Sequence, residues 1–286
     1  MALPGISNGN EFYSAHYLES VLSGDIKKVK QRWAEEAKAE LETNPLAEVS
    51  TPEQQFRVLR KPWQKLREAE LGIRNDPAER LRLQRGMFFQ PLLEALGYPI
   101  HPHAEPVLIG GEAYQIPLLG EVRNGKDEPW LWVVECFNPS DEASDPLELT
   151  IATTWACQIE DPSLGTVHDS ETWEQLISER VFGQDSPPRW VLAVSRDQLL
   201  LIDRQKWAAS RLLRFELDAL LGDNNADALL AAATLLHREH TCPSDGGTPY
   251  LDELDENSHK HAYEVSGDLK YALRQSIELI GNEAIN

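Results

Sequence analysis

The run Trp130-Leu131-Trp132-Val133-Val134-Glu135-Cys136 carries a single charge. Successive strand residues point to opposite faces, so a strand apolar at both parities must be covered on both sides. That requires a sheet with a layer packed on each face. Trp190 to Val194 and Gln198 to Asp203, separated by Ser195-Arg196-Asp197, read as a hairpin of such a sheet. Ala113 to Leu119 is a further candidate strand.

Around these strands the periodicity is helical. Between Asp25 and Glu42, Ile26, Val29, Trp33, Ala37 and Leu41 fall at three- and four-residue spacing and make one apolar stripe, which Asn44-Pro45 ends. Thr51, Pro52 and Gln54 form a capping-box start, and Pro62 is expected to break or kink the helix that follows. Asp76-Pro77-Ala78-Glu79 starts another, leading to Leu92, Leu93 and Leu96 on one face and a stop at Gly97. Ser170 to Phe182 predicts a helix with Trp173, Leu176, Ile177 and Val181 inward. Helix resumes from Asp227, gives way to a polar loop through Ser258, and returns around Leu269 to Ile280. Residues 138–166 give no assignment. The expected fold is α/β (α+β), a mixed sheet flanked by helices, divided as a helical region 1–85, a core 86–222 and a helical connector 223–286.

With 47 acids against 27 bases, net charge is −20, and the chain as a whole should repel a nucleic-acid backbone. The stretch from Arg57 to Arg85 reverses this balance, so any weak DNA contact is expected there, at Arg74, Arg80, Arg82 and Arg85. The widely spaced Cys136, Cys157 and Cys242 suit a reducing cytoplasm, and neither a signal peptide nor a membrane-spanning run is present. The C-terminal stretch runs on without a stop signal, as expected of the front part of a longer protein.

The order of a helix carrying LLEALGY, a strand, a strand ending in a carboxylate, a helix and a hairpin is the layout of the PD-(D/E)XK nuclease core. That chemistry needs two carboxylates and a lysine around Mg²⁺. Glu135 takes the strand-end acid position, but Phe137 stands at the lysine position and Gln115 at the first acid, with Glu112 and Glu121 nearby but displaced. A degenerate, inactive core is therefore expected, without a cofactor. Its rival is an Mg²⁺-dependent endonuclease built on Glu135. Methyl transfer has no support in these residues: Phe137-Asn138-Pro139-Ser140 imitates half of an N-P-P-aromatic tetrad and reads as a turn, and Gly110-Gly111 as a loop. His237, His240 and Cys242, with His259 and His261 beyond, have ligand-like spacing. Lacking a second thiolate, they are expected to be helix-surface and loop histidines with no metal.

The segments NEFYSAHYLESVL, FFQPLLEALGYP, PWLWVVECF, RWVLAVSRDQLLLIDRQKW, LLHREH and HAYEVSGDLKYALRQSIELIGNEA resemble the N-terminal portion of large adenine-specific DNA methyltransferases of type IIG restriction systems and of BREX-like and DISARM-like phage-defence loci. The resemblance covers nearly the whole chain and rests on apolar and aromatic signatures. It implies a restriction-modification context: a nuclease-like region, intact or decayed, ahead of a methyltransferase domain. The function expected is non-catalytic docking of that domain, of defence-system subunits or of DNA. A surface at −20 that serves protein partners or imitates DNA is a third reading.

Overall fold

The computed structural model describes residues 3–73, 76–140, 142–151, 171–244 and 246–285. A short strand β1 (Ile6–Gly9) leads through a π-helical turn into α1 (Leu22–Thr43), followed by α2 (Pro52–Val58), α3 (Arg60–Glu70), α4 (Pro77–Gln84) and α5 (Gln90–Ala95). Strands β2 (His103–Ile109), β3 (Glu112–Leu118), β4 (Gly120–Arg123) and β5 (Pro129–Glu135) come next. After α6 (Trp173–Gln175), which continues as a π-helical stretch to Val181, the chain forms β6 (Trp190–Val194), β7 (Gln198–Asp203), α7 (Arg204–Trp207) and β8 (Leu212–Glu216). It ends in α8 (Leu217–Asp223), α9 (Ala226–Leu236), α10 (Arg238–Thr241) and α11 (Tyr250–Ile285).

Six strands form one mixed sheet in the order β1-β8-β7-β6-β5-β4, and β2 with β3 forms a separate hairpin. Among the described residues, β5–β6 is the one parallel pair, with Glu135 opposite Val194. Alternation along β5 divides the interior as the sequence requires. Leu131 and Val133 join Leu92, Leu93 and Leu96 on one face. Trp132 and Val134 join Trp173, Leu176, Ile177 and Val181 on the other. The first cluster also takes in Trp33 and Phe56 from the N-terminal helices and Leu229 and Leu254 from the C-terminal ones.

Local chemistry explains the boundaries. Thr51 Oγ1 accepts the Gln54 amide at 3.3 Å while Gln54 Oε1 accepts the Thr51 amide at 3.0 Å, and Asp76 Oδ1 accepts the Glu79 amide at 3.0 Å. The chain breaks between α2 and α3 at Leu59, leaving Pro62 in the first turn of α3, where its missing amide costs no intrahelical bond. Gly97 closes α5 at φ 78°, with the Tyr98 amide donating back to Leu93 O at 2.8 Å. Gly110 and Gly111, both at positive φ, turn the β2–β3 hairpin.

Four strands go beyond the sequence expectation: β1, which adds the first residues to the sheet edge, β2, β4 and β8. The stretch expected as a polar loop through Ser258 is instead helical from Tyr250, and Leu269 to Ile280 is part of that same 36-residue helix. Among the described residues, no helix is long and apolar enough to cross a membrane.

Candidate functional site

The polar residues of greatest interest gather at the end of β5. Glu135 closes that strand on the same parity as Leu131 and Val133, so its side chain faces the helical layer containing α4 and α5. Arg85, the residue after α4, donates from Nε to Glu135 Oε2 at 2.6 Å, and its Nη2 lies 2.6 Å from the same oxygen. Glu135 is 1% exposed. Burial pushes its carboxyl up to about 7, with the Arg85 charge and hydrogen bond working against that rise.

Further along α4 lies Arg80, itself 1% exposed. Its Nη1 donates to Pro139 O at 2.8 Å and its Nε stands 3.9 Å from Glu70 Oε1, which also accepts Gln84 Nε2 at 2.6 Å. Asn138 holds the segment after β5 as a turn, accepting the Ser140 amide at 2.8 Å and donating to Glu142 O at 2.7 Å. Phe137 is buried beside it. The neighbouring β6–β7 turn places Asp197 between two cations, 2.7 Å from Arg67 Nη1 and 2.8 Å from Arg196 Nη2.

Two groups that the sequence separates are therefore one site. Arg80 and Arg85, expected on a DNA-binding surface, point into the interior and hold the strand end that carries Glu135. This corrects their placement: a guanidinium as buried as Arg80 cannot reach a phosphate at the surface. Arg82 is exposed and forms an i,i+3 pair with Glu79 at 2.6 Å, and Arg74 lies outside the described residues. Gln115 is buried on β3, opposite Pro106 in the hairpin. Of the displaced acids, Glu112 accepts the Tyr114 hydroxyl at 2.5 Å, and Glu121 accepts Trp132 Nε1 at 3.2 Å and is bonded to Arg123.

The arrangement neutralises charge. A carboxylate whose oxygen is occupied by a guanidinium is a poor metal ligand and a poor base unless the arginine leaves. Mg²⁺ demands octahedral oxygen coordination at about 2.0–2.1 Å, and this donor set does not fit it. Among the described residues, the His, Cys and carboxylate group with ligand atoms all within 4.8 Å of one another lies elsewhere, at His103, Glu105 and Glu121. There Arg123 already bridges the acids, with Nη2 3.3 Å from Glu105.

The histidines near the C-terminus occupy dissimilar settings. His240 is buried, not on a helix surface: its Nδ1 lies 2.7 Å from Thr234 O and its ring stacks on Trp33 at 5.5 Å. His237 packs edge-on against the same indole, and burial lowers it to about 4. Between them burial opposes the charge of Glu239, but hydrogen bonds with His240 and Trp33 outweigh it and hold that carboxyl at about 2. His259 is exposed beside Asp255, and Cys242 is a buried free thiol.

Sequence reasoning identified Glu135 but missed Arg85 as its partner, since nothing local links residues fifty positions apart. Compared with protein-family models, curated proteins and solved structures, the chain shows no match.

Proposed function

We propose that the chain is a non-catalytic docking module of a DNA-methylating, phage-defence-type assembly. The observation that carries this reading is the closed pair of Arg85 and Glu135, with Phe137 buried where a nuclease lysine would stand. Cleavage requires a carboxylate open to metal and a nearby cation to balance charge on the scissile phosphate. Here the cation is bonded to the carboxylate itself. The buried, free thiols of Cys136 and Cys242 suit the cytoplasm in which such an assembly works.

Helix α11 supplies the docking element. Its first turns are clamped to the body: Asp252 lies 2.5 Å from Arg189 Nη2, Asp255 2.6 Å from Lys206 Nζ, and Ser258 Oγ accepts the Ser14 amide at 2.8 Å. The helix then runs on for about 40 Å at 1.5 Å per residue. Leu269, Leu273 and Ile277, spaced four apart, share a face and are 71, 61 and 62% exposed. An amphipathic helix of this kind, rooted at one end, fits a groove on a partner domain.

The test is co-expression with an adenine methyltransferase encoded with the chain. Co-elution is expected for the native protein and not for a variant carrying Leu269→Asp, Leu273→Asp and Ile277→Asp, which should fold normally because these side chains are exposed. Co-elution that survives the substitutions, or metal-dependent DNA nicking that Glu135→Ala abolishes, overturns the reading.

A further inference from the structure

We propose that the exposed face of α2 and α3, carrying Arg57, Arg60, Lys61 and Lys65 and extended onto α1 by Lys30, contacts the phosphodiester backbone of duplex DNA. The proposal goes beyond the docking reading, which puts the protein partner on α11, and either can fail without the other.

Geometry collects these bases. Leu59, between the two helices, keeps right-handed helical angles (φ −61°, ψ −16°), so the chain continues in nearly one direction through the break. Phe56, Leu59, Trp63 and Leu66 then form the buried side, and Arg57, Arg60, Lys61 and Lys65 all fall on the exposed one. Lys30 is brought to the same surface by Glu53, whose nearly buried carboxylate is 3.1 Å from Lys30 Nζ and 2.8 Å from Arg57 Nη2. One acid is thus shared by two bases.

Charge makes the face unusual in this molecule. Acids outnumber bases 47 to 27, and the arginines around Glu135 and Asp197 are matched by carboxylates. Arg60, Lys61 and Lys65 have no carboxylate at ion-pair distance among the described residues. Glu68 is the remaining acid on the exposed side. Arg57 to Lys65 covers roughly 12 Å of helix, comparable with three or four phosphates of one strand at about 3.4 Å each.

The chemistry favours a polyanion over a protein. Protein interfaces are anchored by aromatic or aliphatic side chains in a desolvated centre, and the large apolar residues exposed here are isolated ones, Val58 within the stripe and Leu71 just past the end of α3. A partner recognised by regularly spaced charge alone is the better fit, and a nucleic-acid backbone supplies it without base readout.

Anisotropy of a short labelled duplex, titrated with the full chain at low and at physiological salt, tests this. The variant Arg60→Gln, Lys61→Gln, Lys65→Gln should bind about tenfold more weakly and lose about two to three from the slope of log K against log salt. A control with Lys126→Gln, Arg204→Gln and Lys260→Gln should bind like the native protein. Glu68→Lys, which adds a cation to the same face, should tighten binding. Absence of duplex binding at low salt, equal loss in the control, capture of phosphatidylserine vesicles but not DNA, or competition by polyglutamate as strong as by DNA would each overturn the proposal.

Discussion

Arg85 directs both Nε and Nη2 at one oxygen of Glu135, each at 2.6 Å, across a sequence separation of fifty residues. Burial raises the folded pKa of this carboxyl to about 7 from an ordinary 4.5. Between those values the folded chain holds more protons than the unfolded one, so the contribution of Glu135 to stability is full below 4.5 and declines as pH climbs towards 7. Arg85 limits that decline. Arg85→Ala should therefore cost about 3 kcal/mol at mildly alkaline pH, where a buried carboxylate loses its cation. The loss should be distinctly smaller near about pH 5, where Glu135 can take up a proton. Urea unfolding at the two pH values measures the difference, and equal losses would contradict it.

Val133 sits in β5 between Gly120 of β4 and Leu192 of β6, with no exposed surface. Val133→Asp would place a carboxylate in the apolar cluster that holds Leu92, Leu93 and Leu96. A loss of about 3 kcal/mol or more is expected. An unchanged melting temperature with normal solubility would show that β5 is not an interior strand packed on the helix that carries Leu92, Leu93 and Leu96.

How much of this was readable in advance depended on the range of the interaction. Thr51 and Asp76 cap their helices through bonds to residues three positions on, and the Trp190 to Asp203 hairpin closes over three residues, so pattern and chemistry agree locally. β1 is four residues of Ile-Ser-Asn-Gly with no strand pattern of its own, and it exists because β8 presents an open edge. β2 carries two polar residues and Pro106, and needs β3 to define it. At the candidate site Glu135 stood out as a charge in an apolar strand. Nothing around Arg80 or Arg85 distinguishes a buried arginine from a surface one, because the carboxylate and carbonyl that admit them to the interior come from distant segments.

His237 gives the chain an acid limit. Burial lowers it from 6.5 to about 4, so between those values the folded form binds fewer protons than the unfolded chain. The stability this residue contributes is present above 6.5 and is lost as pH falls through the window. Glu239, held at about 2, adds a second loss only below 4.5. His237→Phe keeps a ring against Trp33 and removes the titration, so its melting temperature should change less between about pH 6.5 and pH 4 than that of the native protein. Parallel curves for the two proteins would assign the acid sensitivity to other groups.

With Glu135 closed by Arg85, the chain is expected not to cleave DNA. In a metal-dependent nuclease the lysine near the acid orients water and offsets charge on the scissile phosphate, and loss of one such preorganised group typically costs about 3 kcal/mol, or roughly 10²-fold in rate. Phe137 is buried and cannot fill that role, and Gln115, the residue expected at the first acid position, is also buried. Phe137→Lys alone should leave the chain inactive because Arg85 still occupies the carboxylate. Adding Gln115→Asp puts a second acid on β3, in the separate hairpin, and leaves the pair closed, so at most a trace of nicking is expected. Arg85→Ala in that double variant should raise the trace by opening Glu135 to Mg²⁺ or Mn²⁺. Overnight incubation of supercoiled plasmid with each protein is the measurement. Nicking by the native chain that disappears in Glu135→Ala would show that the pair opens in solution and that the strand end is an active site.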